Sequence, residues 1–100
     1  VARDGTVIVG AYDRHLYALG PEGEVRWRFA TSGRIRASAR IDAEGRIFVG
    51  SQDDHLYALS PAGERLWDRN LGQDIDSSVA FGGDGTLYVG VDDGGLYALR

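Results

Sequence analysis

Short apolar runs recur along the chain with polar, turn-forming residues between them. VIVG at 7–10, IFVG at 47–50 and LYVG at 87–90 are each followed, after AYDRH, SQDDH or VDDGG in turn, by LYAL at 16–19, 56–59 and 96–99. Four or five consecutive apolar residues bounded by Asp and Gly read as strands, and Asp and Gly between two such runs read as the turn of a β-hairpin. No 3.6-residue period competes. A strand with one wet face alternates apolar and polar residues, whereas these runs are apolar at successive positions. Both faces of each sheet are therefore expected to be covered.

A shift of 40 residues superimposes the chain on itself without a gap. DGTVIVGAYDRHLYAL, EGRIFVGSQDDHLYAL and DGTLYVGVDDGGLYAL align, and so do PEGEVRW and PAGERLW. The repeats span 1–40 and 41–80, with half a repeat at 81–100, in one segment covering 1–100. Each Pro-x-Gly, at 21–23 and 61–63, makes a second turn into a third strand that carries a tryptophan (EVRWRF, ERLWDR). A fourth strand is expected in IRASARI and IDSSVAF. Four strands in a 40-residue period, with sheets that need cover on both sides, predict radially stacked sheets, the β-propeller. The period excludes a helical solenoid, and a lone sandwich does not explain the repeat. With A as the innermost strand, the chain reads B-C-D, A-B-C-D, A-B-C, an all-β propeller fragment of about 2.5 four-stranded blades.

Composition changes this picture in three ways. A 43% apolar content suits a packed core. The absence of cysteine removes disulfides, thiolate zinc sites and a cysteine nucleophile together. All 11 basic residues are arginine; eight face six acids in residues 1–50 and three face nine acids in 51–100, so the halves carry +2 and −6. An acidic chain is a poor match for a nucleic-acid backbone, so no nucleic-acid partner is expected. Opposite halves can instead attract one another between copies. No stretch has the length and apolarity of a membrane span, and VARDGTVIVG reads as the start of a mature segment or an excised piece rather than a secretory signal.

The run GTLYVGVDDGGLYAL, continued in the other repeats by PEGEVRW, resembles the pyrroloquinoline-quinone-type repeat of quinoprotein-alcohol-dehydrogenase-like propellers, including noncatalytic members. The resemblance spans the whole chain. It implies that Trp27 and Trp67 dock between neighbouring blades, with Ala18, Ala58, Gly23 and Gly63 as the small positions they rest against, and it points to a periplasmic or extracellular setting. On that reading Trp67→Ala costs about 3–5 kcal/mol. Exposed tryptophans forming a sugar-stacking platform are the alternative, and would make the ring lectin-like. The WD-repeat pattern fits less well, because Trp67-Asp68 has no counterpart at Trp27-Arg28 and the Gly-His element is absent.

The enzymes of the resembled family hold a quinone against a tryptophan, often over a vicinal disulfide, and a calcium on acid and amide groups. Here there is no cysteine and the one asparagine is Asn70. A fragment of a quinone-dependent dehydrogenase is thus the weaker alternative; no enzyme activity, cofactor or metal is expected. His15 and His55 share a repeat position after Asp13 and Asp53, a pairing that in other settings serves as metal ligand or general base. Gly95 fills that position in the third repeat, which favours a solvated turn. Asp53-Asp54, Asp84 and Asp92-Asp93 have the spacing of turn carboxylates and lack the closing Glu of a calcium loop. FGGDGT lacks the Lys-Ser/Thr of a phosphate loop.

One pair of positions changes sign between repeats. Arg34 and Arg36 flank Ile35 where Asp74 and Asp76 flank Ile75. If these segments are innermost strands, as the resemblance implies, they are expected to form inter-blade charge pairs near a central channel; two independently solvated pairs are the alternative. A 2.5-blade piece exposes apolar end faces and open strand edges, which drive association. The expected partner is therefore a second copy, head to tail, or the remaining blades of a larger propeller. The sequence as a whole reads as a noncatalytic propeller module, a scaffold for protein or peptide binding.

Overall fold

The computed structural model describes residues 5–11, 13–36, 39–75, 79–83, 86–91 and 95–99. They form ten strands in three antiparallel sheets. The first holds β1 (Val7–Gly10), β2 (His15–Leu19) and β3 (Val25–Ala30). The second holds β4 (Arg40–Ile41), β5 (Ile47–Gly50), β6 (His55–Leu59) and β7 (Arg65–Asn70), and the third β8 (Ala80–Phe81), β9 (Leu87–Gly90) and β10 (Leu96–Leu99). Strand order within each sheet follows chain order, so each is a meander, the blade of a propeller.

The 40-residue repeat is kept to the level of register. Val7 pairs with Leu19, Ile47 with Leu59 and Leu87 with Leu99. The register between the third and fourth blade strands shifts between Ala18 and Leu19, and again between Ala58 and Leu59. Each Pro-x-Gly turn closes in the same way. The amide of Gly23 donates to the Gly20 carbonyl at 2.9 Å and that of Gly63 to the Ser60 carbonyl at 3.0 Å. Both glycines are left-handed, at φ +85° and +88°, where a β-carbon is strained.

The fourth strand of each repeat is shorter than the sequence suggests. Residues 34–36 and 74–75 lie outside strands, and β4 and β8 cover two residues each. Their hydrogen bonds explain why. The Ile35 amide donates to the Ala11 carbonyl at 3.4 Å and the Ile75 amide to the Ser51 carbonyl at 3.2 Å, so each segment is tied to the preceding blade, while the Arg34 carbonyl accepts the Gln52 amide of its own blade at 2.9 Å. That tie draws the isoleucine side chains, both buried, onto glycines. An alanine-like Cβ at Gly10 would lie 2.3 Å from Ile35 Cγ2, and one at Gly50 2.1 Å from Ile75 Cγ2.

Two apolar clusters lie between the blades. Leu16 and Ile35, with half-buried Trp27 and Phe29, meet Ile47, Val49, Tyr57 and Leu59 of the second blade. On the second blade's other face, Phe48, Leu56 and Ala58 meet Leu87, Val89 and Leu99 of the third. Strand alternation splits β5 and β6 between the two clusters, which is why IFVG and LYAL are apolar at successive positions.

Candidate functional site

The best-formed feature is the seam where a tryptophan of one blade meets the turn of the next. Trp27 stands on β3 opposite Ala18. Its indole lies over Gly63, close enough that a Cβ there would fall 2.5 Å from the ring, and its Nε1–H donates to the Pro61 carbonyl at 3.2 Å. Pro61 rests on Gly45, whose hypothetical Cβ would be 3.1 Å from the Pro61 ring. The indole thus finds an apolar floor for its face and an acceptor for its one donor.

The structure brings Trp27 and Gly63 together and separates the other small positions from that contact. Ala18 is buried on Trp27's own sheet as its cross-strand partner, not on the adjoining blade. Ala58 faces the third blade, in register with Trp67, and so points away from Trp27. Both alanines clear space beside the indole on the same face. This corrects their expected place, for a physical reason: cross-strand partners share a face by the two-residue period. Gly23 has nothing within 4 Å of a β-carbon position.

Trp67, the repeat equivalent of Trp27, has no turn across it among the described residues. It is 37% exposed and tilts against Phe48 with ring centroids 6.1 Å apart. It borders a cavity of about 470 Å³ with Ile41, Asp42, Phe48, Phe81 and Leu87 among its walls. For the isolated chain, the cost expected of Trp67→Ala from its sequence position moves to Trp27.

The charged positions are tied into turns. Asp53 accepts the His55 amide at 3.0 Å on one oxygen and, on the other, the Tyr57 hydroxyl at 2.5 Å and the Ser32 amide at 3.0 Å. Its carboxylate therefore joins the hairpin turn of the second blade to the segment leaving the first. Asp13 takes the equivalent bonds from the His15 amide and the Tyr17 hydroxyl. Burial, reinforced by Asp53, pushes the Tyr57 hydroxyl above its ordinary value.

His15 and His55 open strands β2 and β6 rather than sitting inside the turns, and they have different partners. His15 Nδ1 lies 3.1 Å from the Asp13 carbonyl oxygen, whereas His55 Nδ1 lies 3.2 Å from Asp68 Oδ1, and Arg65 pairs with the other oxygen, Asp68 Oδ2, at 3.0 Å. Among the described residues no three His, Cys, Asp or Glu side chains cluster as metal ligands. Arg34 and Arg36 are exposed and Asp74 is half-buried, all on irregular backbone ahead of β4 and β8. The Arg34 carbonyl accepts the Gln52 amide of its own blade at 2.9 Å while the Ile35 amide donates to the preceding one, so this segment lies between the first two blades. Asp76, Asp84, Gly85, Asp92 and Asp93 lie outside the described residues.

A pH dependence follows from the turn carboxylates. Asp42 loses solvation, which raises its pKa, but the Arg46 and Glu44 amides and the Arg46 guanidinium together outweigh that and hold it low; Asp13 is held low chiefly by the Tyr17 hydroxyl. Groups depressed in the folded state stabilise fully above the unfolded value, about 3.9 for Asp, and lose that contribution as pH falls through the folded value. Thermal melts are expected to be flat from neutral pH down to about 5 and to fall below about 4. A midpoint that rises on acidification through that window would contradict these contacts.

The sequence matches a family model described as outer membrane protein assembly factor BamB, over residues 1–62 and again over 52–100. No curated protein matches it. Among solved structures, BamB from Moraxella catarrhalis superposes with a TM-score of 0.84 at 20% identity, covering 100% of this chain and 30% of that one. The WD40 β-propeller domain of Doa1 gives 0.87 at 20% identity over 98% and 34% of the two chains. Quinohemoprotein alcohol dehydrogenase from Comamonas testosteroni gives 0.76 at 22% identity over 90% and 16%. The chain spans about a third or less of each. At such identities these superpositions establish the fold, and the matched repeats carry the rest: the chain belongs to the BamB-type family of pyrroloquinoline-quinone-repeat β-propellers.

Proposed function

We propose that the chain is a noncatalytic propeller module, a protein-interaction scaffold whose two end blades are completed head to tail by a second copy. The observation that carries this is the identity of the end faces with faces buried inside the molecule. Val7 and Val9 on the first blade are 38% and 41% exposed, while their repeat equivalents Ile47 and Val49 are buried against the blade before. Tyr88 and Leu96 on the third blade are 38% and 73% exposed, while Phe48 and Leu56 are buried against the blade after. The molecule therefore carries one socket and one plug of an interface it already makes twice. Continuous apolar faces of this kind mark association sites, and a plug and socket on opposite ends give a heterologous contact that closes into a ring where the rotation fits.

The +2 and −6 halves favour the same orientation. The noncatalytic reading is supported by the carboxylates of Asp13, Asp42 and Asp53, which spend their lone pairs on backbone amides and tyrosine or arginine donors in turns. Sedimentation equilibrium over a wide concentration range tests the assembly. A mass that rises above 10.8 kDa with concentration is expected, weakening in high salt. A chain that stays at 10.8 kDa throughout refutes it.

A further inference from the structure

We infer that residues 31–35 form a clasp across the first seam, anchored on one blade and closing on the next, which opens at its middle while the Trp27 seat stays shut. Both anchors lie on the β1–β2 turn of the first blade. The Thr31 amide donates to the Arg14 carbonyl at 2.8 Å and the Ile35 amide to the Ala11 carbonyl at 3.4 Å, and the buried Ile35 side chain lies on Gly10. Between the anchors, residues 32–34 lie on the β5–β6 turn of the second blade. The Ser32 amide donates to Asp53 Oδ2 at 3.0 Å, and the Gln52 amide donates to the Arg34 carbonyl at 2.9 Å. Gly33 sits so close to that turn that a Cβ there would fall 2.5 Å from the Asp53 nitrogen. One segment thus holds the hairpin turns of two blades side by side. The anchors recur one repeat later, where the Leu71 and Ile75 amides donate to the Asp54 and Ser51 carbonyls at 2.8 and 3.2 Å.

The clasp and the tryptophan seat hold opposite ends of the seam. β6 begins at the turn that the clasp covers and ends at the Pro61 turn under Trp27, five residues and about 15 Å away, with Phe29 edge-on to Tyr57 between them at 5.3 Å. The middle of the clasp is the weaker end. Ser32 and Arg34 are exposed, and the hold on the second blade runs through hydrogen bonds to backbone and a glycine contact. Exposed backbone hydrogen bonds with little apolar contact open first in a folded chain. Ile35 is the opposite case, 2% exposed in the apolar cluster between the blades. Opening therefore frees the Ser32 and Gln52 amides together and stops at the anchors. The angle between the two blades can then adjust at this end, about the Trp27 seat, without exposing the core.

Amide hydrogen exchange, read by NMR on the full chain, tests this. In wild type the Ser32 and Gln52 amides are expected to share one opening equilibrium, at least about ten-fold more open than that of the Thr31 and Ile35 amides. Asp53→Asn keeps the size of the side chain but leaves one acceptor oxygen for the His55 amide, the Tyr57 hydroxyl and the Ser32 amide. Gly33→Ala, at a backbone outside the left-handed region, wedges the clasp open by a different route. Each variant is expected to speed exchange at Ser32 and Gln52 by a common factor of about ten or more, the ratio expected when a hydrogen bond to a charged group is lost. Exchange at Thr31 and Ile35, and the chemical shifts of the Gly63 α-protons under the Trp27 indole, should stay as in wild type. Asp13→Asn, the repeat equivalent on the first blade, is expected to leave Ser32 and Gln52 unchanged. If Asp53→Asn speeds Ser32 alone, the bonds open separately and the clasp is overturned. If Thr31 and Ile35 accelerate by the same factor, the seam opens as a whole and the clasp is overturned as well. Should a variant fail to fold, the wild-type pattern decides: Ser32 and Gln52 amides no more open than Thr31 and Ile35 would sink the inference.

Discussion

Replacing Trp27 with alanine is expected to remove about 3–5 kcal/mol of folding stability, whereas Trp67→Ala in the dilute, unassembled chain should remove less than half of that. The two residues occupy the same repeat position and differ in what lies across from them. Trp27 has the backbone of Gly63 against its ring and the Pro61 carbonyl on its Nε1–H; Trp67 faces an open cavity and is 37% exposed. Truncating Trp27 removes apolar contact from between two blades and leaves a void at the edge of the cluster it packs against. The check is chemical denaturation monitored by far-ultraviolet circular dichroism. Equal losses for the two variants would show that the Pro-x-Gly turn contributes nothing to the seat.

The second large effect is expected at Gly50. Its Cβ position lies 2.1 Å from Ile75 Cγ2, 2.6 Å from Ile75 Cβ and 3.3 Å from the Ile75 carbonyl oxygen. Adding one methyl there must displace the segment that the Ile75 amide ties to Ser51, and Gly50→Ala should cost about 2–3 kcal/mol. Gly10→Ala meets Ile35 in the same way and should behave alike, while Gly83→Ala, with nothing near it, should be almost silent. In the double variant Gly50→Ala with Ile75→Ala the losses are expected to be less than additive, because the second truncation frees part of the space the first demands. Strict additivity would place the two residues out of contact.

Much of this could be read before any coordinates, and the reasons are specific. The VIVG, IFVG and LYVG runs, apolar at successive positions, required sheets covered on both sides, and the split of Ile47 and Val49 from Phe48 is that requirement met. The 40-residue register gave the hairpins and turns because each is local. What the repeat did not reveal is which face meets which neighbour. Ala18 and Ala58 were legible as small positions, but only the pairing across β2–β3 and β6–β7 puts them on the same sheet as their tryptophans. The inner segment also misled: IRASARI has strand composition, yet Ile35 bonds to the preceding blade, and a backbone bond to a residue 24 positions back leaves no local mark. The pairing of Val-Gly at 9–10 and 49–50 with Ile35 and Ile75 at one fixed phase was the available signal for that contact.

Repetition also explains why the faces at the ends of the molecule resemble those buried inside it. A closed propeller buries every seam, so a segment that makes the seam internally carries its two halves at its ends. The end faces then differ from core only in lacking a neighbour, which is why Val7, Val9 and Leu96 are exposed although their repeat equivalents are buried.

The seat of Trp27 on Gly63 is the contact that joins the first blade to the second, and a proton NMR spectrum reads it directly. The Gly63 α-protons, held under the indole face, are expected far upfield of their Gly23 counterparts and to return to ordinary positions in Trp27→Ala. Gly63 α-protons at unshifted positions in the wild-type spectrum would contradict the account.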